Sequence, residues 1–237
     1  MTCEDVEPDV IPLALVPAKG YSARLPRKNL RPLGGKPLLA WTLEAAKAAG
    51  IFPEVWVSSE SVEVLDVARE YGALPCERPP ELAQPEATIA HVILHARLAL
   101  EWRGPIYVLA PTNPFRSSFT IAAAWEKCQH LRAGGFYSMS PMPHPPEWAF
   151  RFEPISGTIT PIIPELIDKP RAALPRSWRP DGAHMILGET KGPALGFESD
   201  PIEAVDINTA DDLAYAEYLL ETGRVPWVPT HSAPKKS

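Results

Sequence analysis

Short uncharged apolar runs alternate with longer amphipathic stretches along most of this chain. Residues 11–16, Ile-Pro-Leu-Ala-Leu-Val, form the first run, and residues 55–58, 106–110 and 136–140 repeat the pattern. Runs of this length, bounded by Gly, Pro or polar residues, predict buried strands. Helical periodicity fills the intervals. In residues 38–49, Leu38, Leu39, Trp41, Thr42, Ala45, Ala46 and Ala49 share one side, with Pro37 suited to the first turn and Gly50 to the stop. Residues 61–71 predict a second helix, with Gly72 just beyond it. Residues 86–102 predict a third with an apolar stripe of Ile89, Val92, Ile93 and Ala96, and residues 118–131 a fourth, ended by Gly134 and Gly135. Thr209 with Asp212 three positions on predicts a capping box opening a last helix. Leu213, Ala214, Ala216, Tyr218, Leu219 and Leu220 form its apolar face, and Gly223 ends it. The β-α-β-α order predicts an α/β fold: a mostly parallel sheet covered on both faces, in three layers. Ligands of such sheets bind beyond the carboxyl ends of the strands. Those ends carry the loop 17–29, the turn at Ser58 and Ser59, and residues 110–116.

The alternation stops between residues 141 and 180, where Pro, Arg and Trp accumulate and regular helix is disfavoured. Extended runs at residues 148–152 and 158–163 predict an excursion from the sheet, a hairpin arm. Its Trp148, Phe150, Phe152, Ile162 and Ile163 need a partner surface, and a homodimer contact supplies one. Residues 183–188 and 194–198 return to the sheet. Residues 1–10 and 226–237 are expected to be flexible tails, leaving residues 11–221 as one domain.

Composition narrows the function. The chain has 237 residues and a net charge of −6, which argues against a general nucleic-acid partner. Cys3, Cys76 and Cys128 are dispersed and odd in number, so neither a disulfide framework nor a Cys-x-x-Cys metal site is expected, and a reducing cytoplasm is the expected compartment. The acidic start does not read as a signal peptide, and no apolar run is long enough to span a bilayer.

Positive charge is instead concentrated in one place. Residues 17–29 read Pro-Ala-Lys-Gly-Tyr-Ser-Ala-Arg-Leu-Pro-Arg-Lys-Asn, with Lys19, Arg24, Arg27 and Lys28 together. Gly20, Ser22 and Ala23 keep the loop thin, so that backbone N–H groups approach a ligand closely. Composition leaves two readings open, a triphosphate cradle and a solvated basic turn; the position after the first buried strand favours the cradle.

Five blocks in order then resemble the CMP-sialic acid synthetase family, the cytidylyltransferases that activate acidic sugars. They are residues 17–38, residues 56–59, Arg78-Pro-Pro-Glu-Leu-Ala83, Pro111-Thr-Asn-Pro-Phe-Arg116, and a discontinuous set at residues 170–175, 179–183 and 205–209. The resemblance spans about residues 11–221 and implies a Rossmann-like nucleotidyltransferase fold. It also implies a reaction in which an acid's oxygen attacks the α-phosphate of CTP and pyrophosphate leaves. Lys19 and Lys28 match phosphate-binding cations with a catalytic role, and Ser22, Arg24, Asn29, Arg78 and Thr88 fall in nucleotide-binding positions. Asp206 and Asn208 stand where the family usually has Asp-x-Asp, implying Mg²⁺ at Asp206 with Asn208 as a neutral oxygen ligand. Milder readings exist for each: a surface cation for Lys28 or Arg78, a turn residue for Asn29, a helix cap for Asp206.

The acceptor side departs from the sialate pattern. Ala110 replaces a Gln, Asp181 an Asn, Met185 (after His184) a Tyr, and Tyr21 and Ala23 a Gly and a Lys. Arg171 and Arg179 remain as clamps for a carboxylate or phosphonate, with Asp181 and His144 as further acceptor contacts. These changes leave open a nonulosonic acid other than N-acetylneuraminate, a smaller acid such as a phosphonate, and a CTP-binding homologue without turnover. His91 and His95 are four apart on a helix but lack the His-Glu-x-x-His pattern, so a polar helix face is expected rather than a metal pair.

Overall fold

The computed structural model describes residues 10–188 and 192–227. Its strands are β1 Leu13–Pro17, β2 Pro32–Leu33, β3 Lys36–Pro37, β4 Val55–Ser59, β5 Leu74–Glu77, β6 Ile106–Val108, β7 Gly135–Pro141, β8 Phe150–Glu153, β9 Thr158–Pro161, β10 Trp178–Leu187 and β11 Ala194–Glu198. The helices are α1 Leu38–Ala48, α2 Val62–Glu70, α3 Ile89–Ala99, α4 Ser118–His130 and α5 Ala210–Glu221. Seven strands make the main sheet in the order β11-β7-β10-β6-β1-β4-β5. All pairings are parallel except those of β10, which runs against β6 and β7.

The period of two in β1 divides the core. Ala14 and Val16 face a cluster with Leu39 and Leu43 of α1, Val64 and Leu65 of α2, and Ile121 and Trp125 of α4. Leu13 and Leu15 face the opposite side, with Ile93 and Ala96 of α3, Ile106 and Val108. Full burial of one such aliphatic side chain stabilises by about 1.5–3 kcal/mol, so charge is excluded from the whole run. A third cluster joins Leu33, Leu38, Trp41, Phe115, Ile207, Ala216 and Leu219, seating α5 beside the start of α1. This is the expected three-layer α/β arrangement.

Several boundaries differ from expectation. The third helix begins at Ile89, which is exposed and not part of its stripe; Thr88 caps it, with His91 closing the box. Thr209 and Asp212 form the expected capping box of α5. Residues 148–152 and 158–163 hold a separate antiparallel hairpin, β8 with β9, outside the main sheet. Its Phe152, Ile155 and Ile159 are exposed. The predicted tails lie mostly outside the described residues. Of their described residues, Val10 lies on the first cluster and its carbonyl accepts from Gln129 Nε2, Pro226 is exposed, and Trp227 lies on the third cluster. Among the described residues no helix is long and apolar enough to cross a membrane.

Candidate active site

Loop 17–29 leaves β1 at its carboxyl end and closes on the main sheet. Ala18 N–H donates to Ser58 O at 3.0 Å, continuing the β1–β4 pairing by one step. Lys19 Nζ reaches the carbonyl of Gln84 at 3.4 Å. Lys28 and Asn29 then form a short 3₁₀ turn ending at Leu30, entered through Arg27 in the left-handed region at φ 57°. Asn29 is buried. Its amide donates to Lys19 O at 2.8 Å, bracing the loop across its own width, while its Oδ1 is buried without a partner among the described residues. Ser22 is half-buried and Arg24 exposed.

The far end of the chain meets this loop. Lys28 Nζ donates to Asn208 Oδ1 at 2.9 Å, and Asn208 Nδ2 donates to Asp206 Oδ2 at 2.6 Å. Two contacts hold the 205–208 segment. Ile207 N–H donates to Thr112 O at 2.8 Å, and Asn113 Nδ2 to Val205 O at 3.1 Å. Burial lowers the Lys28 pKa; the Asp206 charge opposes this and the Arg24 charge adds to it. Lys28, Arg24 and Asp206 are therefore coupled by charge, with the neutral Asn208 bridging Lys28 and Asp206.

Asp206 is exposed, and its Oδ1 makes no hydrogen bond among the described residues. No group of three or more His, Cys, Asp or Glu side chains is placed to hold a metal ion among those residues. One free carboxylate oxygen and one amide oxygen do not make a cage. The free Asp206 oxygen suits Mg²⁺, which binds through one or two carboxylates together with substrate phosphates and water, whereas Asn208 Oδ1 is already engaged by the Lys28 ammonium.

Arg78 is buried at the end of β5, with its Nη2 and Nε at 2.8 and 3.2 Å from Glu60 Oε2. Glu60 Oε1 accepts from Gly20 N–H of the basic loop at 2.7 Å. Burial on its own would raise the Glu60 pKa; the hydrogen bonds from backbone N–H groups and Arg78 outweigh it and hold the carboxyl below its ordinary value. Glu60 was not among the sequence candidates, although it directly follows the strand end at Ser58 and Ser59. Thr88 is exposed, and its hydroxyl accepts from His91 N–H as the α3 cap.

The acceptor candidates divide. Arg179 is exposed on β10, paired with Ser140 of β7. Arg171 Nη1 donates to Pro143 O at 3.1 Å, beside the exposed His144. Arg171 also lines a cavity of about 550 Å³ at the base of the arm, with Met142, Arg176, Trp178 and Glu198. No hydrogen bond or ion pair joins Arg171, Arg179 or His144 to loop 17–29 among the described residues.

Asp181 needs correction as a ligand contact. The β10–β7 pairing runs Pro180 to Met139 and resumes only at Met185 with Tyr137, so residues 181–184 bulge. Gly182, at φ 84°, makes that turn. The bulge aims Asp181 inward, where its carboxylate accepts from Ser138, Ser140 and Ser199 hydroxyls and from Ala183 N–H. Those bonds hold its pKa below the ordinary value despite burial. Asp181 is a buried anchor.

His184 is buried in the same bulge. Its Nδ1 lies 2.5 Å from Tyr107 Oη and its Nε2 3.5 Å from Glu203 Oε2. Burial lowers the His184 pKa, so the neutral ring accepts from the tyrosine and turns its Nε2–H toward Glu203. Glu203 also accepts from Ser117 N–H and Thr120 Oγ1, fixing the start of α4. Arg116, fully buried beside it, donates to the carbonyls of Ala183 and Ala110 and to Thr42 Oγ1. Burial lowers its pKa to about 10, which leaves it charged at neutral pH. Glu203 has no local signal in the sequence, since its partners lie 19 residues earlier at His184 and more than 80 earlier at Ser117 and Thr120.

Comparison with known proteins agrees with this architecture. The cytidylyltransferase family model matches residues 13–147. The CMP-N,N'-diacetyllegionaminic acid synthase of Legionella pneumophila is 31% identical over 88% of this chain and 96% of its own length. A pseudaminic acid cytidylyltransferase of Campylobacter jejuni is 33% identical over 58% of this chain and 62% of its own. Two solved structures share the fold. A CMP:2-keto-3-deoxy-manno-octonic acid synthetase complexed with CTP has a TM-score of 0.66 at 13% identity, covering 90% of this chain and 99% of that one. The 4-diphosphocytidyl-2C-methyl-D-erythritol synthase of Anaerococcus prevotii has 0.61 at 9%, with the same coverage. With the family model covering more than half of its length and a relative aligned almost end to end, this chain belongs to the cytidylyltransferase family.

Proposed function

We propose that this enzyme transfers CMP from CTP to a nonulosonic acid, releasing pyrophosphate. The observation that carries the reading is the chain Lys28–Asn208–Asp206. It sets a cation, an amide and a carboxylate side by side next to a glycine-bearing basic loop at the carboxyl end of β1. In this reading Lys19 and Lys28 bind the triphosphate, with Ser22, Arg24 and Asn29 around it and Arg78 and Thr88 toward the nucleoside. The acceptor's hydroxyl oxygen attacks the α-phosphorus, the bond to the bridging oxygen breaks, and pyrophosphate leaves as the hydroxyl proton is lost. Such a step needs alignment and charge neutralisation rather than covalent participation by the protein. Lys28 supplies fixed positive charge where the leaving group gathers negative charge. Asp206 would hold Mg²⁺, which neutralises phosphate charge when bound, and Asn208 would join it only by turning its oxygen from Lys28 to the ion.

Arg179 and Arg171 are assigned to the acceptor's carboxylate, with His144 nearby. The hairpin β8–β9 is assigned to a homodimer contact, because its exposed Phe152, Ile155 and Ile159 form an apolar face on an otherwise isolated two-stranded element. A cytoplasmic location fits an enzyme that consumes CTP and keeps Cys76 and Cys128 as free thiols. The relatives reported above are named for legionaminic and pseudaminic acids, which favours a sugar acid over a small phosphonate. The test is pyrophosphate release from CTP and Mg²⁺ with a panel of acids.

A further inference from the structure

Glu60 is the only side chain in the described structure that bonds both the basic loop's backbone and Arg78. One carboxylate oxygen accepts from Gly20 N–H and the other from Nε and Nη2 of Arg78. The ion pair is largely out of water, with Arg78 1% and Glu60 15% exposed at the side chain. Its third guanidinium nitrogen, Nη1, makes no hydrogen bond among the described residues, so Glu60 fixes the plane of the guanidinium while leaving one donor edge unpaired. The loop contact is equally close. A Cβ at Gly20 would lie 2.5 Å from Ser61 Cβ and 3.3 Å from Glu60 Oε1, so the loop backbone rests directly on the β4–α2 junction. Lys19 is the preceding residue in the chain and Ser22 lies two beyond Gly20.

We propose that Glu60 is a positioning residue for the nucleotide: by joining Gly20 N–H to Arg78 it sets the path of the phosphate loop and the orientation of the arginine together. The proposal rests on the reading of residues 17–29 as the triphosphate cradle. The chemistry of the link makes it specific to a carboxylate. Both oxygens accept, and an amide in the same place must turn its NH₂ toward one of two N–H donors. Glu60→Gln therefore breaks one half of the latch without changing side-chain size. Glu60→Asp keeps the charge but is one methylene too short to meet both partners.

Calorimetric titration of CTP into the wild type, Glu60→Gln, Arg78→Lys and the double variant tests this, with steady-state KM for CTP and for the acceptor measured alongside. The expected result is CTP affinity at least about tenfold weaker in Glu60→Gln, the loss of one charge-assisted hydrogen bond. The acceptor KM stays within twofold, and the double variant is no worse than Arg78→Lys alone. Glu60→Asp replaces Glu60→Gln if the latter does not fold, with a smaller loss of the same selectivity. Unchanged CTP affinity, equal rises in both KM values, or additive losses in the double variant would overturn the proposal while leaving the cytidylyltransferase reading intact. Failure of the wild type itself to bind CTP would overturn that reading and the proposal with it.

Discussion

Lys28 and Asn208 are 180 positions apart in the chain and share a 2.9 Å hydrogen bond. The lysine belongs to the first loop and the asparagine to the residues before the last helix, so the site closes only when both ends of the domain have folded. The asparagine is oriented by further contacts. Asn208 is pinned by its own N–H to Asp212 at 2.9 Å and by its amide to Asp206. The asparagine flip is thereby settled: its oxygen faces the ammonium and its NH₂ the carboxylate.

Removing the ammonium tests the triphosphate role. Lys28→Ala is expected to lower kcat for pyrophosphate release by about 10²–10³, the range for loss of one preorganised charge-stabilising donor. The thermal midpoint should change little, because Lys28 is only half-buried and stands outside the apolar clusters. A pyrophosphate-coupled assay and a melting curve on the same preparation check both halves.

Asn208→Asp puts a second carboxylate beside Asp206 in place of a donor. Like charges at this distance repel unless a cation joins them. The expected outcome is a several-fold lower Mg²⁺ concentration at half-maximal rate, whereas Asp206→Ala should abolish saturable Mg²⁺ dependence. Titrating Mg²⁺ at fixed CTP measures both.

Arg179→Ala is expected to raise the acceptor KM about tenfold or more while CTP affinity stays within twofold, since no described contact ties it to the basic loop. Loss of a charge-assisted pair with a carboxylate sets that scale. Equal loss toward both substrates would remove Arg179 from the acceptor side.

Asp181 should reveal itself in stability. Asp181→Ala leaves three hydroxyls and one N–H without their acceptor, at a cost of about 2–4 kcal/mol in denaturant unfolding. The folded pKa lies below the ordinary 3.8, so the stabilisation is complete above that value and is lost as pH falls through the lower folded pKa. The difference between wild type and Asp181→Asn should therefore be constant near neutrality and shrink below pH 3.8. A difference that grew on acidification would contradict the assignment.

The parts of the molecule governed by local pattern were legible in the sequence. The alternation in β1, the stripe of α1 and the Thr209–Asp212 box each depend on neighbours within a turn or a pleat. Strand β5 escaped because Leu-Pro-Cys-Glu has neither alternation nor a β-branched residue; Pro75 is tolerated because the strand lies at the sheet edge. The antiparallel course of β10 follows from its entry out of the arm, which residue spacing does not encode. At the site, Lys28 and Asp206 came from motif and position, and the structure brings them together. Asp181 misled because its motif position says nothing of the three serines around it. Glu60 depends on partners 18 and 40 residues away, and Glu203 on partners 19 and more than 80 residues away, none of them within a turn or a pleat.

Pyrophosphate release from CTP and Mg²⁺ is the most direct test of the central claim. The acids to compare are N,N'-diacetyllegionaminate, pseudaminate, N-acetylneuraminate, 3-deoxy-manno-octulosonate and phosphonoformate. Stoichiometric pyrophosphate and a CMP-linked product are expected with one of the three nonulosonates, and little with the other two acids. Turnover of phosphonoformate alone, or CTP binding with no release in the presence of any acid, would contradict the claim.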